Sequence, residues 1–281
     1  MKSAPIPSKS KGKLTYVSPE DPKWKQFIIK TMEVFTGYRT VEKKYNEIQK
    51  MDIEPIQLWG ETLKKLNIST DYNPQQLAKI PKTGPLVLIA NHPFGVVDGL
   101  VLGKLTSMVR KEFLFLVYDS LCQQDERINQ FLLPVDFRET KEALRTNINT
   151  RKEAIKRLDE GGTLLIFPAG GVSTAPKGIG KAEDLEWKRF VVKVIKRSKA
   201  TVVPVFFYGQ NSRMFQIVSQ FSAPMRLGML IHEVKNKMGK TLKVEIGNPI
   251  SFEGLAHLKD RQVFLDYLKE QVYGLEQDST K

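Results

Sequence analysis

Short apolar runs alternate with amphipathic stretches after Asn73-Pro74, and this alternation restricts the fold more than any other feature of the chain. Apolar runs of this kind are typical of strands buried on both faces of a parallel sheet. The predicted strands are Leu86–Ala90, Phe113–Tyr118, Thr163–Phe167, Val202–Tyr208 and Leu242–Ile246. The predicted helices are Gly99–Val109, Glu139–Leu158, Leu185–Arg197 and Arg261–Tyr273, while residues 210–240 receive no assignment. This order predicts an α/β fold with a mostly parallel central sheet flanked by helices.

A different pattern precedes the α/β part and predicts an N-terminal helical extension. From Asp21 to about Leu66, apolar and aromatic residues recur at helical spacing, with charged residues between them. The first such face carries Trp24, Phe27, Ile28 and Phe35. Amphipathic helices of this type either pack on a core, the commoner case, or lie in a membrane interface. We therefore expect a flexible basic lead-in over 1–20, amphipathic helices over 21–75 and one α/β domain over 76–281.

Charge, apolar stretches and cysteine content indicate which partners and which cellular compartment the chain suits. The chain has 281 residues and a formal net charge of +13, which predicts attraction to nucleic acid, anionic lipid headgroups or acidic carrier proteins. No apolar stretch approaches the roughly 18 to 20 residues of a spanning helix, and the N-terminus lacks the apolar segment of a secretory signal. The single cysteine, Cys122, excludes an intrachain disulfide and a structural zinc site, and it fits a reducing cytosolic compartment.

The segment from Asn91 to Asp98 carries the first candidate site. It reads NHPFGVVD and follows a predicted buried strand, so His92 would lie at the carboxyl end of the sheet, where ligands bind in open α/β folds. Imidazole suits a general base near neutral pH, and a carboxylate on its other nitrogen fixes the tautomer. Asp98 is therefore a candidate partner for His92. The alternative, that Asp98 only caps the following helix, is equally consistent with the spacing.

Two further segments carry candidate anion-binding groups. Phe167 and Pro168 lead from a predicted strand into Ala169-Gly170-Gly171, where backbone N–H groups are able to approach an oxyanion or a phosphate, unless the glycines only form a turn. Arg138 follows the apolar run Leu132–Val135 and is either a phosphate or carboxylate ligand or an ordinary surface residue.

One predicted strand, Val202–Tyr208, contains Pro204, which usually marks an edge strand or a bulge. Two other motifs do not match the catalytic or phosphate-binding patterns that they partly resemble. Ser173 is a poor candidate for a hydrolase nucleophile, because Pro176 and Gly178 follow where a nucleophile elbow requires a helix. Gly180-Lys181 lacks the phosphate-loop pattern.

Taken together and in this order, these segments resemble the sequence blocks of the PlsC-like glycerol-phosphate/lysophospholipid acyltransferase family. Asn91-His92 and Asp98 match its first block with one extra residue, a spacing similar to that of the hemolysin-like branch. Phe167–Gly170 matches the Phe-Pro-Glu-Gly block, with Ala169 in place of Glu. Arg138 and the strand around Pro204 resemble the second and fourth blocks. The likeness covers roughly residues 80 to 250.

The resemblance implies an O-acyltransferase of membrane lipid synthesis. It implies that His92 is the general base and Asp98 its partner, and that the acyl donor is an acyl-CoA or an acyl carrier protein. It implies no metal and no bound cofactor. The substrate-binding residues that it implies are Asn91, Arg138, Phe167, Pro168, Gly170 and Gly171. Because Ala169 replaces the Glu, an amino-acid lysolipid rivals lysophosphatidate as the acceptor.

Two alternatives remain open at this stage. One is a non-catalytic basic protein that binds nucleic acid or anionic lipid surfaces, and the other is an inactive family member that acts as a scaffold. For the enzyme, the positive charge and the aromatic face of the first helix predict peripheral attachment to the cytoplasmic face of an anionic membrane.

Overall fold

The structure is a computed structural model, and it describes residues 22–35, 37–118, 126–136, 140–221 and 223–278. Three sequence predictions lie outside these residues: the lead-in over 1–20, Cys122 and Arg138.

Helices and strands alternate along most of the described chain. Their bounds are α1 (Lys23–Phe35), α2 (Tyr38–Gln49), α3 (Leu58–Lys65), β1 (Ser69–Asp71), α4 (Pro74–Ala78), β2 (Leu86–Ala90), α5 (Val96–Ser107), β3 (Phe113–Tyr118), α6 (Glu126–Asn129), β4 (Leu132–Val135), α7 (Lys141–Asp159), β5 (Thr163–Ile166), α8 (Phe190–Ser198), β6 (Thr201–Phe207), α9 (Arg213–Phe221), α10 (Ala223–Lys237), β7 (Thr241–Ile246), α11 (Phe252–Leu255) and α12 (Arg261–Asp278).

The described strands form a seven-stranded sheet in the order β1-β7-β6-β2-β5-β3-β4. The five strands from β6 to β4 are mutually parallel, whereas β7 runs antiparallel to β6 and β1 runs parallel to β7. All five predicted strands are present. The predicted α/β class, with a mostly parallel sheet and an N-terminal helical extension, is confirmed.

Both faces of the sheet are covered by helices, because alternate residues of each strand point to opposite sides. On β2, Leu86 and Leu88 face a cluster that includes Trp59 and Leu63 of α3. Val87 and Ile89 face the other cluster, which α7, α8 and α12 complete. The proposed division at residue 75 stays a prediction, and both α3 and β1 pack into the α/β core from the N-terminal side of it.

Strand β6 corrects one sequence expectation, because it carries Pro204 and yet lies in the interior of the sheet, between β7 and β2. Its ladder with β7 spans Val205–Phe207 and stops before the proline, which has no N–H to donate. Gly247 donates its N–H to the Pro204 carbonyl at 2.8 Å. A Cβ at Gly247 would lie 2.6 Å from the Pro204 ring, so this glycine makes room for it.

The helix bounds differ from the sequence predictions at functionally important places. Helix α5 begins at Val96 instead of Gly99, which puts Asp98 in its first turn. Helix α8 begins at Phe190 instead of Leu185, and the preceding residues form an irregular segment. The unassigned residues 210–240 contain α9 and α10, and the short strands β1 and β4 were not predicted. Within the described residues, no helix combines the length and apolarity needed to span a bilayer.

We expect Gly103→Ala to destabilise the fold by about 1 to 3 kcal/mol. The added methyl would lie 2.5 Å from the Trp59 ring, where α5 packs on α3. This overpacking outweighs the gain of about 1 kcal/mol in helix propensity. The matched control is Gly274→Ala in α12, where no described atom lies within 4 Å of the new Cβ and a small gain in stability is expected. Urea unfolding measures both, and a Gly103→Ala protein as stable as wild type would contradict the packing.

Candidate active site

The site begins where β2 ends, near the centre of the sheet. Asn91 follows the strand directly, and its side chain holds β2 to β6: its amide donates to the Phe207 carbonyl at 3.0 Å, and its oxygen accepts from the Phe207 N–H at 2.7 Å. We predicted from the resemblance that Asn91 binds substrate. The geometry does not support that role, because Asn91 is buried and both of its polar groups are used. Asn91 instead fixes the strand end from which His92 projects.

His92 and Asp98 meet as the spacing allowed. The Nδ1 atom of His92 lies 3.0 Å from Oδ2 of Asp98. The chain reverses at Gly95, whose φ of +78° favours glycine, and this turn brings Asp98 back to the histidine. The same Oδ2 accepts N–H groups from Phe94 at 2.8 Å and Gly95 at 3.0 Å. The sequence left open whether Asp98 contacts His92 or only caps the following helix. In the structure it does both.

The environment of Asp98 shifts the pKa of its carboxyl group. Asp98 is completely buried, and this burial raises its pKa above the ordinary value, while the bonds from His92 and from the Phe94 and Gly95 N–H groups oppose the rise. A carboxylate at this position accepts a hydrogen bond from His92, which favours the tautomer that carries its proton on Nδ1. Nε2 is then left as the basic nitrogen, and no described residue forms a hydrogen bond with it.

A second buried carboxylate, Asp184, holds the backbone of His92. The His92 N–H donates to Oδ1 of Asp184 at 3.0 Å, and the Ser173 hydroxyl donates to the same oxygen at 2.6 Å. Trp187 donates its indole N–H to Oδ2 at 2.9 Å. Asp184 was missed by the sequence analysis because it lies in the irregular segment before α8, far along the chain from His92. Ser173 is thus a donor to Asp184, which agrees with its rejection as a nucleophile.

The glycine loop after β5 packs against the histidine. The Phe167 ring stacks on the His92 imidazole, with ring centroids 4.1 Å apart and planes inclined by 19°. Pro168 also borders the site, and its carbonyl accepts the Lys188 N–H at 2.8 Å. The Gly170 N–H donates to the Phe167 carbonyl at 2.9 Å, so it is not available as the oxyanion donor that we predicted. The Gly171 N–H has no hydrogen-bond partner in the described part of the chain, and Gly171 borders the same open space.

That open space is a cavity of about 840 Å³ with His92 in its wall. Most of its lining is apolar and comes from α2, α3, α5 and the ends of β3 and β4; examples are Val41, Trp59, Leu100, Phe115, Leu132 and Val135. A polar end is formed by Gly170, Gly171, Lys188 and Arg226. Among the described lining residues there is no carboxylate. The cavity thus suits an elongated apolar ligand with an anionic or polar end near His92.

A family model described as an acyltransferase matches residues 52–279. The chain belongs to this acyltransferase family. It is 27% identical over 210 residues to a lyso-glycine lipid O-acyltransferase of Bacteroides thetaiotaomicron, with 71% of this chain and 73% of the relative covered. A lyso-glycine lipid O-acyltransferase of Phocaeicola vulgatus is 26% identical over 211 residues, with 71% of each chain covered. These findings confirm the resemblance to PlsC-like enzymes and support an acyltransferase over the non-catalytic alternatives.

The fold of the acyltransferase also has a counterpart among solved structures. It matches PlsC, the 1-acyl-sn-glycerophosphate acyltransferase of Thermotoga maritima, with a TM-score of 0.54 and 15% sequence identity. The match covers 92% of this chain and 98% of that one. At this level of identity the comparison establishes a shared fold.

Arg226 also lines the cavity, and sequence reasoning did not identify it. It lies on α10, within residues 210–240, and shares a helix face toward the cavity with Leu230, Ile231 and Val234. Its Nη2 atom donates to the Val172 carbonyl at 2.6 Å. Burial lowers the pKa of Arg226 from its ordinary value. The helical spacing of Arg226, Leu230 and Val234 in the sequence is consistent with one shared helix face. That spacing does not show that this face borders the cavity at His92.

A buried ion pair supports the loop from the other side. Lys237 lies over the Phe94 ring, with Nζ 4.5 Å from the ring centroid, and 3.6 Å from the Glu233 carboxylate. Burial lowers the pKa of Lys237, and Glu233 partly offsets that effect. Ser212 donates its N–H to Glu233 at 3.0 Å, so the pair is also tied to the start of α9. Lys237 and Glu233 therefore hold Phe94, and with it the loop between His92 and Asp98.

The raised pKa of Asp98 predicts how stability changes with pH in Asp98→Asn. The folded protein binds the Asp98 proton more tightly than the unfolded chain, so wild-type stability relative to the variant should rise as pH falls from neutral toward the ordinary value of 3.8. Urea unfolding at several pH values measures this difference. Asp159→Asn, the same change on the surface at the end of α7, is the control. If Asp98→Asn instead became more stable relative to wild type as pH falls, burial would not be the dominant influence on the pKa of Asp98.

Proposed function

We propose that this acyltransferase moves a fatty acyl group from an acyl thioester to the hydroxyl of a lysolipid, with His92 as general base and Asp98 as its partner. One observation carries the proposal: the His92–Asp98 pair leaves Nε2 open at the wall of a large apolar cavity. Most of the cavity then holds the acyl chain, and the reacting groups meet at the polar end.

The proposed reaction needs one proton shuttle and no covalent enzyme intermediate. Nε2 of His92 takes the proton of the acceptor hydroxyl while the hydroxyl oxygen attacks the thioester carbonyl carbon. Asp98 stabilises the imidazolium that forms. The tetrahedral intermediate then collapses, the carbon–sulfur bond breaks, and the imidazolium returns its proton to the leaving thiolate. The products are the ester and the free thiol of the carrier, and no metal or bound cofactor takes part.

Each surrounding group has a proposed part in this step. The Gly171 N–H is the candidate donor to the oxyanion, a contribution worth about 3 kcal/mol in comparable sites. Phe167 keeps the imidazole ring in place through stacking. Asp184 and Asn91 act as positioning residues, because they hold the backbone from which His92 projects.

The cavity and the names of the relatives support the proposed substrates. The donor is an acyl-CoA or an acyl carrier protein, because each presents a fatty acyl thioester. The acceptor is a lysolipid, in keeping with the names of the two curated relatives. The net charge of +13 favours work at an anionic membrane surface, which we place on the cytoplasmic side.

Loss of His92 should remove acyl transfer. We expect His92→Ala to lower kcat/KM by about 10²- to 10⁴-fold, because proton removal from the hydroxyl is then left to water. The assay follows transfer from labelled acyl-CoA and acyl carrier protein to a panel of lysolipids. His257→Ala, which changes an exposed histidine beyond α11, is the control and should keep wild-type activity. Equal transfer by His92→Ala and wild type would contradict the proposed base.

Peripheral attachment is testable on α1. Trp24 and Phe27 are 61% and 71% exposed, and aromatic side chains at a membrane interface anchor a helix there. We expect the double change Trp24→Ser and Phe27→Ser to weaken binding to anionic vesicles at least about tenfold in flotation at low salt. Val263→Ser on α12 removes another exposed apolar side chain and is the control. Wild-type protein that ignores anionic vesicles would contradict membrane attachment itself.

A further inference from the structure

Arg226 provides a partly buried positive charge at the polar end of the cavity, and no described carboxylate forms an ion pair with it. Its one hydrogen bond within the described chain goes to the Val172 carbonyl, which leaves the other N–H groups of the guanidinium available. The second cation there, Lys188, has an exposed side chain, so water and salt screen its charge. An unpaired guanidinium in an apolar wall is costly unless a ligand completes its hydrogen bonds.

A single peptide unit joins Arg226 to His92. The carbonyl of the Val172–Ser173 peptide accepts from Arg226 at 2.6 Å, and its N–H donates to the His92 carbonyl at 2.8 Å. Nη2 of Arg226 and the His92 carbonyl oxygen therefore lie within about 8 Å of each other. Gly171 lies directly beside the guanidinium, because a Cβ there would be in van der Waals contact with it at 3.4 Å. The guanidinium is thus held through one peptide unit to the backbone of His92, and both residues line the same cavity.

We propose that Arg226 binds a carboxylate of the acyl acceptor, so that this acyltransferase selects lysolipids whose headgroup ends in a carboxylate. The inference rests on the proposed function and assigns the acceptor class. A guanidinium pairs with a carboxylate through two parallel hydrogen bonds, and at this position the pair orients the acceptor so that its hydroxyl faces Nε2 of His92.

Charge balance favours a carboxylate over a phosphate monoester. A phosphate monoester carries a charge of about −1.5 to −2 at neutral pH, whereas a carboxylate carries one negative charge. One partly buried guanidinium balances the single charge of a carboxylate, whereas the second charge of a phosphate would depend on Lys188, whose exposed side chain is screened by water and salt. The curated relatives are named for a glycine lipid, and glycine supplies one carboxylate.

Ala169 fits the same assignment. The family block that this segment resembles has a Glu at this position, and here a buried methyl group packs in the cluster with Trp187. The described lining of the cavity contains no carboxylate that would pair with Arg226 in competition with a ligand.

The test compares two acceptors that differ at one group. N-(β-hydroxypalmitoyl)glycine ends in a carboxylate, and N-(β-hydroxypalmitoyl)glycinamide ends in a neutral amide of nearly the same size. Steady-state acylation of both, and of lysophosphatidate, is measured with wild type, Arg226→Gln and Arg226→Lys. The control is Arg197→Gln, which changes an exposed arginine in the last turn of α8 that does not line the cavity.

We expect wild type to have a KM about 10- to 100-fold lower for the glycine acceptor than for the glycinamide, because a charge-assisted pair is lost with the amide. Arg226→Gln should raise KM for the glycine acceptor by a similar factor with little change in kcat, and leave the glycinamide close to its wild-type values. Arg226→Lys should fall between, since it keeps the charge and loses the paired bonds. Arg197→Gln should behave as wild type.

Several results would overturn the inference while the proposed function stands. These are equal wild-type KM for the two acceptors, an equal loss on both acceptors in Arg226→Gln, or a preference for lysophosphatidate that Arg226→Gln removes. The wild-type comparison needs no variant, so it decides even if Arg226→Gln fails to fold. Absence of transfer to all three lysolipids would contradict the proposed function itself.

Discussion

The Asp98 carboxylate places three N–H groups on one buried oxygen, and the shape of the site depends on that charge. Two of the donors belong to the backbone of the loop that follows β2, and the third is the imidazole of His92. Removal of a carboxylate from water costs several kcal/mol, so such a group persists only where its hydrogen bonds hold the chain in one arrangement. Here the same oxygen sets the entry into α5, the turn at Gly95 and the ring orientation of His92.

The rest of the site is arranged around the backbone of His92. Its N–H is held by Asp184, and its carbonyl is held by the Ser173 N–H, so the residue is fixed on both sides before its side chain is considered. The Ser173 N–H belongs to the peptide unit that also binds Arg226. Consequently His92 and Arg226 are positioned by one loop, and a shift in that loop would move both of them together.

Sequence reasoning found the parts whose signal is local. The apolar runs identified β2, β3 and β5 with bounds close to those observed, because strands buried on both faces have few polar interruptions. His92 and Asp98 were identifiable because they are six residues apart and a Pro/Gly loop lies between them. The sequence did not show which of Gly170 and Gly171 has a free N–H group. Only the turn geometry shows that the Gly170 N–H donates to the Phe167 carbonyl. Asp184 and Arg226 were missed because their partners lie far away in sequence and neither belongs to a motif.

The two ends of the cavity differ in the kind of ligand group that they are able to bind. The apolar part, between the N-terminal helices and the ends of β3 and β4, binds by burial of surface, which is non-directional and tolerates related chains. The polar end has a single partly buried guanidinium, whose bonds are directional. A ligand that satisfies the apolar part alone has no fixed register along the cavity, so its hydroxyl meets His92 only some of the time. In the proposed complex, a carboxylate bound by Arg226 sets that register, and its binding energy is thereby converted into orientation at the reacting atoms.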